Sequence, residues 1–342
     1  MNIKRKILFF SIALLLFSAI RYRELIRYGI NQLRGQLSIV MNAREIDEVL
    51  KDQSIPDSIK YKLNLIQEIK KFAVDSLGIK ESKNYSTYYD QQGKPSIWVI
   101  TASEPFAMRP FEWNFPFLGS VSYKGFFEKE KGLPELEELR KKGYDVDYGT
   151  AGGWSTLGWF KDPVLSGMLR KKEGRLAELI IHELTHGTIY ISNNVDYNEN
   201  LATFIGEEGA KLFINNKFGK ESPQMKEYLA FQEDEKIFGD YMITSALRLD
   251  SLYYHLDLKE SASTNYHKKY FLIKDIILNI NKLPLNNPER YQFNFPGDHL
   301  PNNSFFMSFK RYRKKQTDFR QELSKNGGNI KQWLLHLRSE NN

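Results

Sequence analysis

An α+β domain, predominantly helical and carrying a small sheet, is what the sequence predicts, behind an N-terminal apolar helix. Three observations predict it. Apolar residues recur at helical spacing through most of the chain. Residues 84–130 instead hold short β-branched and aromatic runs bounded by Pro and Gly. The first 20 residues join a basic cluster to an uncharged apolar run.

Composition narrows the function classes. The 342 residues are 41% hydrophobic, 14% aromatic and 27% charged, which excludes a disordered chain, a collagen and a coiled coil. The absence of Cys excludes a disulfide scaffold, a Cys-based zinc finger, an iron–sulfur site, a thiol nucleophile and a lipid-modified N-terminal Cys. The net charge of +7 is unevenly placed. Lys4, Arg5, Lys6, Arg21, Arg23, Arg27 and Arg34 face a single acid, Glu24, within residues 1–34. The rest of the chain is almost neutral, so no basic face for nucleic acid is expected.

The elements follow in order. Ile7 to Ile20 carry no charge and follow Lys4-Arg5-Lys6, the order of a secretory signal. No pair of small residues makes a good cleavage site, so residues 1–34 are expected to form an uncleaved signal anchor or membrane-proximal helix. That reading places the protein at the inner membrane, facing the periplasm or cell exterior, with residues 35–342 as one domain. Residues 22–78 read as helix, stopped at Gly78. Ser96–Thr101 and Gly119–Tyr123 read as strands, Pro134–Lys142 as a helix ended by Gly143, and Trp154–Leu157 as an edge strand. Helices are expected at Arg175 to about Tyr190, at about Glu199 to Phe218 and through 224–282. A Pro/Asn-rich loop spans 283–304. Helix returns over 305–338, broken at Gly327-Gly328.

The chemistry lies in Ile181-His182-Glu183-Leu184-Thr185-His186. Residues i and i+4 share one helical face, so both imidazoles can reach one ion. Glu183 projects about 100° round the helix from His182, beside the open position of the metal. A carboxylate there can take the proton of a zinc-bound water. A third ligand is needed. The position six residues after His186 is Ser192, which excludes the metzincin pattern. Asp196, Glu199 and the Glu207–Glu208 pair follow nearby. Glu199 is the best candidate, at the expected start of the next helix, and Asp196 is the runner-up.

The chain resembles the bacterial putative aminopeptidase family of zinc-dependent gluzincin type. The resemblance is carried by Tyr28 to Leu37, by Pro116 to Phe127 with Gly119, Tyr123 and Gly125, by Ser155–Phe160 with Asp162-Pro163, by the H-E-x-x-H stretch, by Asn198-Glu199 with Ala202, and by Asn302-Asn303 and Tyr312. It implies a zincin-like metallopeptidase domain. It also implies one zinc ion held by His182, His186 and Glu199, with Glu183 as the catalytic carboxylate, acting on a peptide or protein substrate. Members of that family often carry a lipoprotein Cys, which this chain lacks, so the N-terminal helix is expected to hold it at the membrane. Thermolysin-like enzymes place an acid three residues after the glutamate ligand. Here that residue is Ala202, so a partner for the ligand His is expected from Asp196 or Glu207.

His255, His267, His299 and His336 have no partner at metal spacing. Asn303 and Tyr312 are weak candidates for transition-state stabilisation, and the basic run Lys310–Lys315 reads as a solvated helix face. The rival reading is a non-catalytic envelope protein whose zinc is structural or absent. A structural zinc site has no need of Glu183.

Overall fold

The computed structural model describes residues 4–5, 9–10, 17 and 20–340, apart from 116–118, 151–160, 193, 258, 294–299 and 311–315. Helix α1 (Arg23–Met41) lies on a sheet, where Tyr28 Oη and Gln32 Nε2 both donate to the Gly125 carbonyl, at 3.0 and 2.8 Å. Strand β1 (Arg44–Glu45) and helix α2 (Ile46–Lys51) lead to α3 (Asp57–Leu77). Gly78, at φ +74°, ends α3 in the left-handed conformation that glycine adopts without strain.

The strands come next: β2 (Thr87–Tyr89), β3 (Trp98–Ser103), β4 (Trp113–Phe115), β5 (Gly119–Val121) and β6 (Lys124–Phe126). Helix α4 (Lys129–Lys141), β7 (Asp145–Thr150) and β8 (Val164–Leu165) complete this half. Instead of one small sheet, the described strands form three, in the orders β1-β2-β8, β6-β3-β7 and β4-β5. Strand β2 runs antiparallel to β1 but parallel to the distant β8, with Tyr88 opposite Val164. Short strands have little pattern of their own, so such long-range pairing leaves no local signal.

Helices dominate the second half: α5 (Glu173–His186), α6 (Val195–Phe218), α7 (Pro223–Tyr254), α8 (Ala262–Ile280), α9 (Asn303–Met307), α10 (Gln316–Lys325) and α11 (Ile330–Glu340). The largest apolar cluster joins α3, α5 and α6 to β2 and β8, through Leu63, Ile66, Leu176, Ile180, Phe204 and Ile205. A second core lies around Met242, Ile276 and Phe306, and a third around Ile100 and Phe126. The architecture is thus α+β and predominantly helical.

The expected inner-membrane anchor is overturned. Among the described residues no helix is long and apolar enough to cross a membrane. The physical reason is legible in α1, where Arg23, Glu24, Arg27 and Arg34 interrupt any apolar continuation. The run Ile7–Ile20 would reach only about 21 Å as a helix, short of the roughly 30 Å of a hydrocarbon core. Most of that run lies outside the described residues, as do the edge strand expected at Trp154–Leu157 and Tyr312.

Candidate metal centre

Helices α5 and α6 form an antiparallel pair that builds the site. Helix α5 buries Leu176, Ala177, Ile180, Ile181 and Leu184, which anchors the helix and leaves His182 and His186 on a partly open face. Helix α6 starts at Val195, four residues earlier than expected, because the Asn194 side chain caps it by accepting from Tyr197 N at 3.3 Å. Glu199 therefore lies in the second turn rather than at the helix start. The connecting loop is closed by Asn198, whose Oδ1 accepts from Ile191 N at 2.9 Å and whose Nδ2 donates to Ile191 O at 2.8 Å.

The two helices approach closely because Gly206 and Gly209 face α5. A Cβ on Gly206 would lie 2.9 Å from the Glu178 carbonyl oxygen and 3.2 Å from His182 Cβ. A Cβ on Gly209 would lie 2.8 Å from Leu77 and 3.1 Å from Ile181. Glu199 precedes Gly206 by two helical turns and shares its face. Close approach at Gly206 therefore carries Glu199 over His182 and His186.

The three expected ligand residues converge. His182 Nε2 and His186 Nε2 are 3.2 Å apart, with the rings nearly perpendicular at 83°. Glu199 Oε2 lies 3.6 Å from His182 Nε2, and Oε1 lies 3.5 Å from His186 Nε2. Two ligand atoms at about 2.0–2.1 Å from one tetrahedral ion stand about 3.4 Å apart, so this donor set fits a zinc ion. His182, His186 and Glu199 can hold a metal, and their side chains are 19%, 24% and 34% exposed, so a further ligand has access. Asp196, the runner-up, sits in the first turn of α6 outside this cluster.

The electrostatics show how strongly these groups feel one another. The Glu199 carboxyl is held below its ordinary pKa, by its contact with His182 against the opposing effect of burial. Burial works to lower the pKa of His182, but Glu199 and the Glu183 and Glu178 carboxylates carry it above the ordinary value. His186 is pushed down by burial and by His182. Glu183 is pushed up by burial, against His182 and with Glu199 and Asp162. Among the described residues its carboxylate has no hydrogen-bond partner.

Other expected residues fall elsewhere. Asn303 is fully buried, accepting from Tyr253 Oη at 2.6 Å and donating to the Glu104 and Pro105 carbonyls at 2.9 and 3.2 Å. Its backbone N–H donates to Asp145, which also pairs with Lys269. That network ties the β3–β7 sheet to α7, α8 and α9 and uses up the Asn303 side chain, so the weak transition-state reading of Asn303 is replaced by a structural one. Sequence reasoning missed the packing role of Gly206. A glycine inside an otherwise apolar helical stripe was the available signal for Gly206.

A family model described as "Putative aminopeptidase" matches residues 27–340. No curated protein and no solved structure matches the chain. A match over that span, with the His–Glu–His stretch and Glu199 inside it, means that the chain belongs to the putative aminopeptidase family.

Proposed function

We propose that the protein is a zinc-dependent peptidase that hydrolyses peptide bonds at the α5–α6 site. The observation that carries this reading is the 3.2–3.6 Å spacing of three ligand-type atoms from His182, His186 and Glu199. These residues would hold one zinc ion, with Glu199 supplying negative charge and the two imidazoles neutral donors. When bound, the ion supplies a Lewis acid that acidifies water and polarises the scissile carbonyl.

The chain's own residues do the rest. Glu183 accepts the proton of the attacking water at a carboxylate oxygen, then returns it to the leaving amine. Its raised pKa, caused first by burial, brings it nearer the range where one group can both take and give a proton. Gly206 keeps α6 close enough for Glu199 to reach both imidazoles. The aliphatic residues of α5 keep the ligand-bearing helix rigid.

A purely structural metal site is less well supported. Glu183 is an enclosed carboxylate with no structural partner among the described residues, and structure alone gives no reason for it. The test is metal analysis of the purified chain followed by digestion of a peptide library. One equivalent of zinc with cleavage that stops on chelation supports the reading, whereas a metal-free chain unresponsive to added zinc contradicts it.

A further inference from the structure

A cleft of about 520 Å³ lies between the C-terminal turns of α7 and the connection from β3 to β4, and it shares no residue with the α5–α6 site. Its size is that of a small-ligand pocket. Helix periodicity brings the α7 side chains to it. Leu247, Asp250 and Tyr254 lie three and four residues apart and so share one face. The opposite wall is Phe106, whose ring meets the inward-turned Tyr253 edge-on at 6.1 Å. Tyr254 stands out at 86% exposed, beside His255 with ring centroids 5.2 Å apart.

The polar groups of the cleft are acceptors. Asp250 is its exposed acid. His255 Nδ1 lies 2.8 Å from the Ser251 carbonyl. A carbonyl only accepts, so Nδ1 carries a proton and Nε2 is the acceptor of the neutral ring. The neighbouring cations are engaged with other acids: Lys269 with Asp145, and Arg248 with Asp275 at 2.8 Å.

Aromatic rings with a carboxylate beside them favour a cation. This chain shows the preference in its own packing. Lys269 Nζ lies 5.7 and 6.0 Å from the centroids of Phe106 and Tyr253. Arg175 and Arg290 place their guanidinium carbons 4.2 and 4.9 Å from the centroid of Phe231.

We propose that this cleft binds the side chain of an arginine in a partner peptide. The flat guanidinium stacks on an aromatic ring and donates to the Asp250 carboxylate, with His255 Nε2 as a further acceptor. Leu247 covers the aliphatic stem. Lysine fits less well, because an ammonium is more strongly hydrated and offers no flat face to a ring. The binding needs no metal and no chemistry at the α5–α6 site, so the inference stands apart from the peptidase reading.

The experiment titrates Nα-acetylarginine amide into the purified full chain, beside Nα-acetylcitrulline amide, which keeps the shape but lacks the charge. Recovery of intact probe excludes cleavage as the source of the signal. One saturable site is expected, with the citrulline probe at least about tenfold weaker. Asp250→Asn should weaken arginine binding roughly tenfold and Tyr254→Ala roughly threefold. Melting temperatures should stay at the parental value, since both side chains are exposed. Equal binding of the two probes, no saturable binding, or parental affinity in either variant overturns the proposal. None of these outcomes bears on peptide hydrolysis, which Glu183→Gln tests separately.

Discussion

Gly206 stands directly against His182, so close that a Cβ on the glycine would lie 3.2 Å from His182 Cβ and 2.9 Å from the carbonyl oxygen of Glu178. The three candidate ligand residues of α5 and α6 meet because that side chain is missing. The relationship makes a packing feature part of the proposed chemistry, and it can be tested at one residue.

Gly206→Ala should destabilise the protein and weaken metal binding together. Helix propensity alone would favour Ala by about 1 kcal/mol. Here the added methyl meets backbone, which cannot rotate away, and such overpacking costs about 1–3 kcal/mol. Gly29→Ala is the control, since a Cβ at Gly29 in α1 meets nothing within 4 Å. Thermal melts and zinc titrations of both variants check this. Gly206→Ala should fall by several degrees and bind zinc less tightly, while Gly29→Ala holds or rises.

Glu199→Ala should lose the metal, and Asp196→Ala should keep it. Glu199 offers both carboxylate oxygens to the two imidazoles, at 3.5 and 3.6 Å. Asp196 contributes its backbone carbonyl to Asn200 Nδ2 at 2.7 Å, a bond that Ala preserves. Zinc content of the two purified variants, measured side by side, decides it. An empty Asp196→Ala beside a full Glu199→Ala would move the ligand assignment to Asp196.

Zinc should stabilise the fold more at pH 8 than at pH 5.5. Ligand histidines must be deprotonated to bind metal. In the metal-free site burial lowers the His182 pKa, but Glu199, Glu183 and Glu178 carry it above 6.5. A raised folded-state pKa means that the metal-free fold has its full His182 contribution below about pH 6.5 and loses it as pH rises through the raised value. Protons thus oppose zinc most strongly on the acid side. The gap between melting temperatures with and without zinc should narrow as pH falls. A gap independent of pH would contradict histidine ligation.

Asn303→Ala should cost stability rather than chemistry. Truncation strands the Tyr253 hydroxyl and the Glu104 carbonyl in a buried network, while the Pro105 carbonyl keeps Lys269 Nζ at 2.8 Å. Leaving buried polar groups unpaired costs about 1–3 kcal/mol. The melting temperature should fall, while kcat per zinc-loaded molecule stays near that of the parent. A selective loss of kcat without loss of stability would return Asn303 to the active site.

Much of the site was legible because it is local. His182, Glu183 and His186 share one helical turn, and Gly78 and Gly143 mark helix ends through positive φ at 74° and 83°. Glu199 could be placed on the next helix, though the start of that helix was misjudged because the Asn194 cap was passed over. What could not be read depends on partners far along the chain. The backbone of Tyr85, left-handed at φ +59°, is hydrogen-bonded to Asp162 and Gln67, and the network around Asn303 comes from Glu104, Asp145 and Tyr253. No periodicity encodes such meetings, because the fold itself brings the residues together. The N-terminal expectation failed for another reason. A basic-flanked apolar run satisfied the signal pattern, but α1 is polar enough to lie on the sheet through Tyr28 and Gln32.

The central claim is that Glu183 moves the proton in a site whose metal is held by His182, His186 and Glu199. The most direct measurement is peptide hydrolysis by Glu183→Gln, made on protein whose zinc content has been determined. The amide keeps the size of the side chain but cannot take up the proton. The account predicts full zinc occupancy with turnover reduced about 10²–10⁴-fold. A zinc-loaded Glu183→Gln protein that cleaves peptides at the parental rate would contradict it.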